Sequence, residues 1–158
     1  MRDLLLPLFF CITLISCAVG VKKDLMTDLT VSNNGLSYED VYLSSDGKRL
    51  QDNKFAMGQI VYIQLEGVDG FSLKENMAYP GASILVTDKE GNVVLDLKDL
   101  FEQYSETGVK SEDAALLSAN INIGAPMLPE AEYKLVARFW DKNSEGDITC
   151  VLGFTVVK

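Results

Sequence analysis

The chain has 158 residues, with 14 basic and 23 acidic side chains, no histidine and a formal charge of −9 at pH 7. Its longest basic runs are the pairs Lys22-Lys23 and Lys48-Arg49, which argues against nucleic acid as a partner, since nothing longer is present to neutralise phosphates. The missing histidine removes Ser-His-Asp triads, Cys-His dyads and the commonest zinc sites.

Chain order begins with a charged start, Arg2, and an apolar run from Leu4 that ends in Leu14-Ile15-Ser16-Cys17. Small Ser16 before Cys17, with branched apolar residues ahead of it, resembles the lipobox of bacterial lipoproteins. The resemblance implies cleavage before Cys17, lipid (palmitate included) on that cysteine, and a stable anchor, since several acyl chains hold a protein where one does so only marginally. Ala18 after the cysteine, in place of Asp, implies sorting to the outer membrane; the side faced is left open. Two other readings stand beside it. A secretory signal could be cut after Ala18-Val19-Gly20. Leu4 to Val21 could also span a membrane, although Pro7 and Lys22-Lys23 weaken that option. The expected organisation is a signal peptide at 1–16, a tether at 17–27 without apolar periodicity, and one domain at 28–158.

Within that domain, Leu29 to Ser32 and Asp40 to Leu43 read as short strands, closed by Asn33-Asn34-Gly35 and by a Ser45-Asp46-Gly47 hairpin turn. Gly58 to Glu66 alternates, with Val61, Ile63 and Leu65 on one face and Tyr62, Gln64 and Glu66 on the other. A long connection from Gly67 to Gly81 follows. Strands at Ala82–Thr87 and Asn92–Leu97 flank an Asp88 to Gly91 turn. Leu97, Leu100, Phe101 and Tyr104 are spaced for one face of a short helix, and a polar stretch, Ser105 to Asp113, leads back to a strand. Leu117 to Ile123, Tyr133 to Asp141 and Ile148 to Val156 all alternate. Cys150 falls on the apolar face of the last, as a small core residue. With Cys11 removed and Cys17 lipidated, it would be the one remaining thiol, so the fold must rest on its hydrophobic core.

This pattern predicts an all-β fold: an antiparallel β-sandwich of about seven to eight strands with one short helical turn. Ala131-Glu132-Tyr133 at the start of the penultimate strand resembles the tyrosine corner of immunoglobulin-like domains. The resemblance implies an immunoglobulin or fibronectin III-like sandwich in which the phenol bonds back to backbone. Leu135 stands where antibody domains carry cysteine, which fits the disulfide-free modules.

Candidate sites follow from that architecture. Three connections, 67–81, 98–115 and 141–147, should gather at one end and bring together Phe71, Tyr79, Phe101 and Tyr104 with many carboxylates. Each ring also fits a cap over the core, and that is the expected role for most of them. Trp140 should point outward beside Arg138, either as a flat surface for a sugar or peptide or shielded by a loop with Arg138 on its face. Asp141, Asn143, Glu145 and Asp147 resemble the first two-thirds of an EF-hand-type calcium loop, but Leu152 stands where the bidentate glutamate belongs. A polar hairpin turn explains the same residues, and no cofactor is expected. The functional expectation is a non-catalytic, membrane-anchored module of the cell envelope that binds a glycan or a protein partner. The alternatives are a structural subunit of an envelope complex and, more remotely, a carboxylate-dependent glycosidase.

Overall fold

A computed structural model describes residues 20–158; the lipobox and Cys17 lie outside the described residues. In chain order the strands are β1 (Gly20–Lys23), β2 (Thr30–Asn34), β3 (Asp40–Ser45), β4 (Lys48–Arg49), β5 (Lys54–Ala56), β6 (Ile60–Glu66), β7 (Met77–Ala78), β8 (Pro80–Asp88) and β9 (Val93–Leu97). A 3-10 turn (Glu102–Tyr104), β10 (Val109–Lys110), α1 (Ser111–Ala114), β11 (Leu116–Asn122), β12 (Glu132–Asp141) and β13 (Asp147–Val157) complete it. Eight of these strands have five residues or more, which is the antiparallel β-sandwich expected; the five shorter ones carry no readable periodicity. No helix among the described residues is long and apolar enough to cross a membrane.

The larger sheet runs β1-β2-β13-β12-β8-β9, and the smaller β11-β6-β3-β4. β13 is the hub: β12 lies along one side, while β2 and the parallel β5 share the other in succession. Side chains alternate along each long strand, so Val61, Ile63 and Leu65 of β6 meet Leu135, Ala137, Phe139, Ile148, Cys150 and Leu152 in one core. The free Cys150 thiol is buried there, and loss of water pushes its pKa up to about 12. It stays protonated and inert as a nucleophile at neutral pH.

Two turns show the local chemistry. Asp46 and Gly47, both with positive φ (50° and 70°), form the two-residue turn closed by the Ser45–Lys48 pair. The Asp88 carboxylate accepts the Asn92 N–H at 2.8 Å, and Gly91 closes the turn at φ 90°. At the corner into β12, the Tyr133 hydroxyl accepts the Leu128 N–H at 2.7 Å, so the phenol does bond back to backbone.

Two expectations are corrected. Residues 20–23, read as part of a tether, form β1 and pair with β2 from Gly20↔Asn33 to Lys23↔Thr30. The helix spaced over Leu97 to Tyr104 does not form as one face. Leu97 ends β9, and the Leu100 N–H bonds the Ala82 carbonyl at 2.7 Å. That bond extends the β8 edge through Leu100 and leaves helix only at Glu102–Tyr104. The four-residue α1, inside the stretch read as polar connection, is too short to show a 3.6 period.

Candidate functional site

The three connections do meet at one end. Asp141, 1% exposed, is the knot. Its carboxylate accepts the Ser72 N–H at 2.8 Å, the Asn143 N–H at 3.0 Å and the Ser144 hydroxyl at 2.7 Å. Lys142 ties on the third connection, donating to Asp99 Oδ2 (2.7 Å), the Phe101 carbonyl (3.0 Å) and Ser105 Oγ (2.7 Å). Phe71 and Phe101 pack against the core, Phe101 with its ring centroid 6.5 Å from that of Phe139. Tyr79 is half-buried beside Lys74, and Tyr104 stands exposed. The rings at this end therefore act mainly as a cap, and the polar groups around them satisfy one another.

The residues of the calcium-loop resemblance are held apart by the same geometry. Asp141 turns inward onto Ser72 and Ser144, whereas Asp147 turns outward and pairs with Arg138 Nε at 2.7 Å. Glu145 stays in solvent. Alternation along β12 and β13 sends the two aspartates to opposite faces, so the four side chains do not converge. No group of three or more His, Cys, Asp or Glu arranged for a metal occurs among the described residues.

Trp140 lies on the outer face of the larger sheet, between Gly81 and Asp147 in register. It is half-buried. A Cβ at Gly81 would sit 2.2 Å from indole Cε2, so the ring lies directly over that glycine. The Arg138 guanidinium is 5.7 Å from the ring centroid. The indole thus fills the space a missing side chain leaves on β8, which is a packing role. A depression of about 590 Å³ opens farther along the larger sheet, over Gly153, Thr87 and Lys134. Its aromatic neighbours Tyr133 and Phe154 are buried, with their rings packed against each other.

The smaller sheet offers a different surface. The register sets Ser44, Tyr62 and Asn120 in one cross-strand row, and Tyr42, Gln64 and Ser118 in the next. All belong to the outward set of β3, β6 and β11, and Ser118, Asn120 and Asn122 are exposed. Tyr42 donates its hydroxyl to Glu66 Oε1 at 2.7 Å, and the Arg49 guanidinium stacks 4.5 Å from its ring centroid. Arg49 also bonds Asp40 Oδ2 at 2.8 Å, and this holds the Asp40 carboxyl below its usual pKa. Gln64 Nε2 reaches Ser44 Oγ at 3.3 Å. Together these residues border a depression of about 450 Å³, lined by Asp40, Tyr42, Ser44, Arg49, Gln64 and Glu66.

Rigid strands thus place two tyrosines, three side-chain amides, two carboxylates and two serine hydroxyls along one face, with Ser44 itself buried. Aromatic rings supply flat apolar area, and the amides, hydroxyls and carboxylates supply donors and acceptors at fixed spacing. The sequence carried a partial signal, since Tyr62, Gln64 and Glu66 alternate opposite an apolar set. What it could not show is that Ser118 and Asn120 lie beside them.

No protein-family model matches the chain, and no curated protein matches it. Among solved structures it is similar to the C-terminal domain of wzt, with a TM-score of 0.52 and 11% identity over 91% of this chain and 80% of that one. At that identity the likeness concerns the fold, a β-sandwich.

Proposed function

We propose that this chain is a lipid-anchored, non-catalytic module of the bacterial outer membrane that binds a neutral glycan on the open face of β3, β6 and β11. The observation carrying this reading is the row of Tyr62 with Ser44 and Asn120 beside Tyr42, Gln64 and Ser118 on rigid strands. Sugars present apolar C–H faces and fixed hydroxyls, and this surface offers rings for the first and amides for the second. Of the charges on it, Asp40 is paired with Arg49, while the Glu66 carboxylate accepts the Tyr42 hydroxyl and keeps its negative charge. That favours a neutral ligand over an acidic one. The lipobox-like Leu14-Ile15-Ser16-Cys17 supports the anchor.

The test is calorimetric titration of the purified full chain in detergent against a panel of neutral oligosaccharides. Tyr62→Ala and Gln64→Ala should each weaken binding about tenfold, roughly 1.4 kcal/mol, with the β-sheet circular dichroism intact. Trp140→Ala should leave affinity unchanged. Loss of binding through Trp140→Ala alone would move the site to the larger sheet, and no response to any glycan would defeat the reading.

A further inference from the structure

Strand edges are open templates for other chains, and most edges of this molecule are guarded. β1 carries Lys22 and Lys23, and β4 is only Lys48-Arg49. The β8–β9 ladder is broken by a register shift at Val86/Thr87, and β9 carries Asp96. Charge, shortness and irregularity are the devices that keep edges from pairing. β11 has none of them. Leu116-Leu117-Ser118-Ala119-Asn120-Ile121-Asn122 runs seven residues in unbroken register with β6, without a charge, a proline or a bulge.

The ladder also fixes which backbone groups are free to pair. The Ile123 N–H bonds the Gln59 carbonyl at 2.9 Å, so the odd-numbered residues of β11 direct their groups at β6. Antiparallel alternation then turns the N–H and C=O of Leu116, Ser118, Asn120 and Asn122 away from β6. Among the described residues β11 is the last strand of its sheet, so these groups face outward with no described strand beyond.

We propose that this edge pairs antiparallel with β11 of a second copy, about a two-fold axis at Ala119, joining two four-stranded sheets into one of eight. That register sets Ser118 opposite Asn120 of the second copy and Leu116 opposite Asn122, so every outward backbone group finds a partner. An isologous contact brings one residue against itself at its centre. Here that residue is the small, uncharged Ala119, while the hydroxyl of Ser118 meets the amide of Asn120 on either side. Charge selects the same arrangement. The chain carries −9, so two copies repel except along an uncharged strip, and antiparallel pairing sends the Glu112 and Asp113 pairs to opposite ends. Leu116, 67% exposed, gains cover from the facing strand. The joined sheet would present two Tyr62–Gln64 faces side by side, but the pairing does not depend on their ligand.

The test is register-specific cross-linking of the full chain in its own membrane, without glycan. Ser118→Cys and Asn120→Cys copies are expressed separately and together, then treated with a mild oxidant. Facing residues stand about 5.5 Å apart at their α-carbons, within disulfide reach, whereas 118 to 118 or 120 to 120 exceeds about 7 Å. The expected result is a covalent dimer at least fivefold more abundant in the mixed preparation than in either alone, above the wild-type background. Sedimentation of the wild-type chain in detergent should give a dimer, and Asn120→Lys should shift it towards monomer. Equal cross-linking in all three preparations would mean random collision and overturn the register. Absence of cross-links with a monomeric mass, including the case where another protein's strand takes this edge, would overturn the proposal.

Discussion

Asp141 illustrates how one residue can hold a whole end of a sandwich. Its carboxylate receives two backbone N–H groups and a hydroxyl from residues as far apart as Ser72 and Ser144. Buried donors left without an acceptor are costly, and bonds to an ionised acceptor are the stronger kind. Asp141→Ala should therefore lower stability by about 3 kcal/mol and the melting temperature by about 10 °C, measured by thermal unfolding. Glu145→Ala, in solvent at the tip of the same loop, should shift it by less than about 2 °C. Equal effects for the two substitutions would show that Asp141 does not organise the end.

At the scale of the element, the pairing of β8 with β12 depends on a glycine and an indole filling one place. A methyl group at Gly81 would fall 2.2 Å from the Trp140 ring, so Gly81→Ala should expel the indole, shift its emission to the red and cost about 2 kcal/mol. In the Trp140→Ala background the same change should cost much less. The coupling measured in a double-mutant cycle checks whether the two share one space; additive losses would separate them. Elements of this kind explain what was legible in the sequence. β6, β11, β12 and β13 announce themselves by strict alternation, because each buries one face and wets the other. β1, β5, β7 and β10 do not, since a two- to four-residue strand is defined by its partner and not by its own pattern. Trp140 could be placed outward, but Gly81 beneath it could not, because register between strands some 60 residues apart has no local signature. The face of Tyr62 and Asn120 was half legible for the same reason: each strand showed its polar side, and only the pairing of β6 with β11 made the two sides one surface.

For the molecule as a whole, the lipobox-like motif predicts that Cys17→Ser abolishes lipidation and releases the protein from membranes, as read by fractionation and by metabolic labelling with a fatty acid. A variant that stays membrane-bound at its native level would refute the lipoprotein reading. The start of β1 sharpens what such an anchor would mean. The expected tether ran to residue 27, yet Gly20, the first of the described residues, is already paired with Asn33. Three peptide units from Cys17 reach at most about 11 Å when fully drawn out, against the roughly 35 Å that ten would allow. A domain on so short a leash cannot sweep the space above the bilayer. It would sit like a fitting bolted to the membrane, with Lys22 and Lys23 near the lipid headgroups, and copies would meet by sliding in the plane while a ligand would have to come down to them.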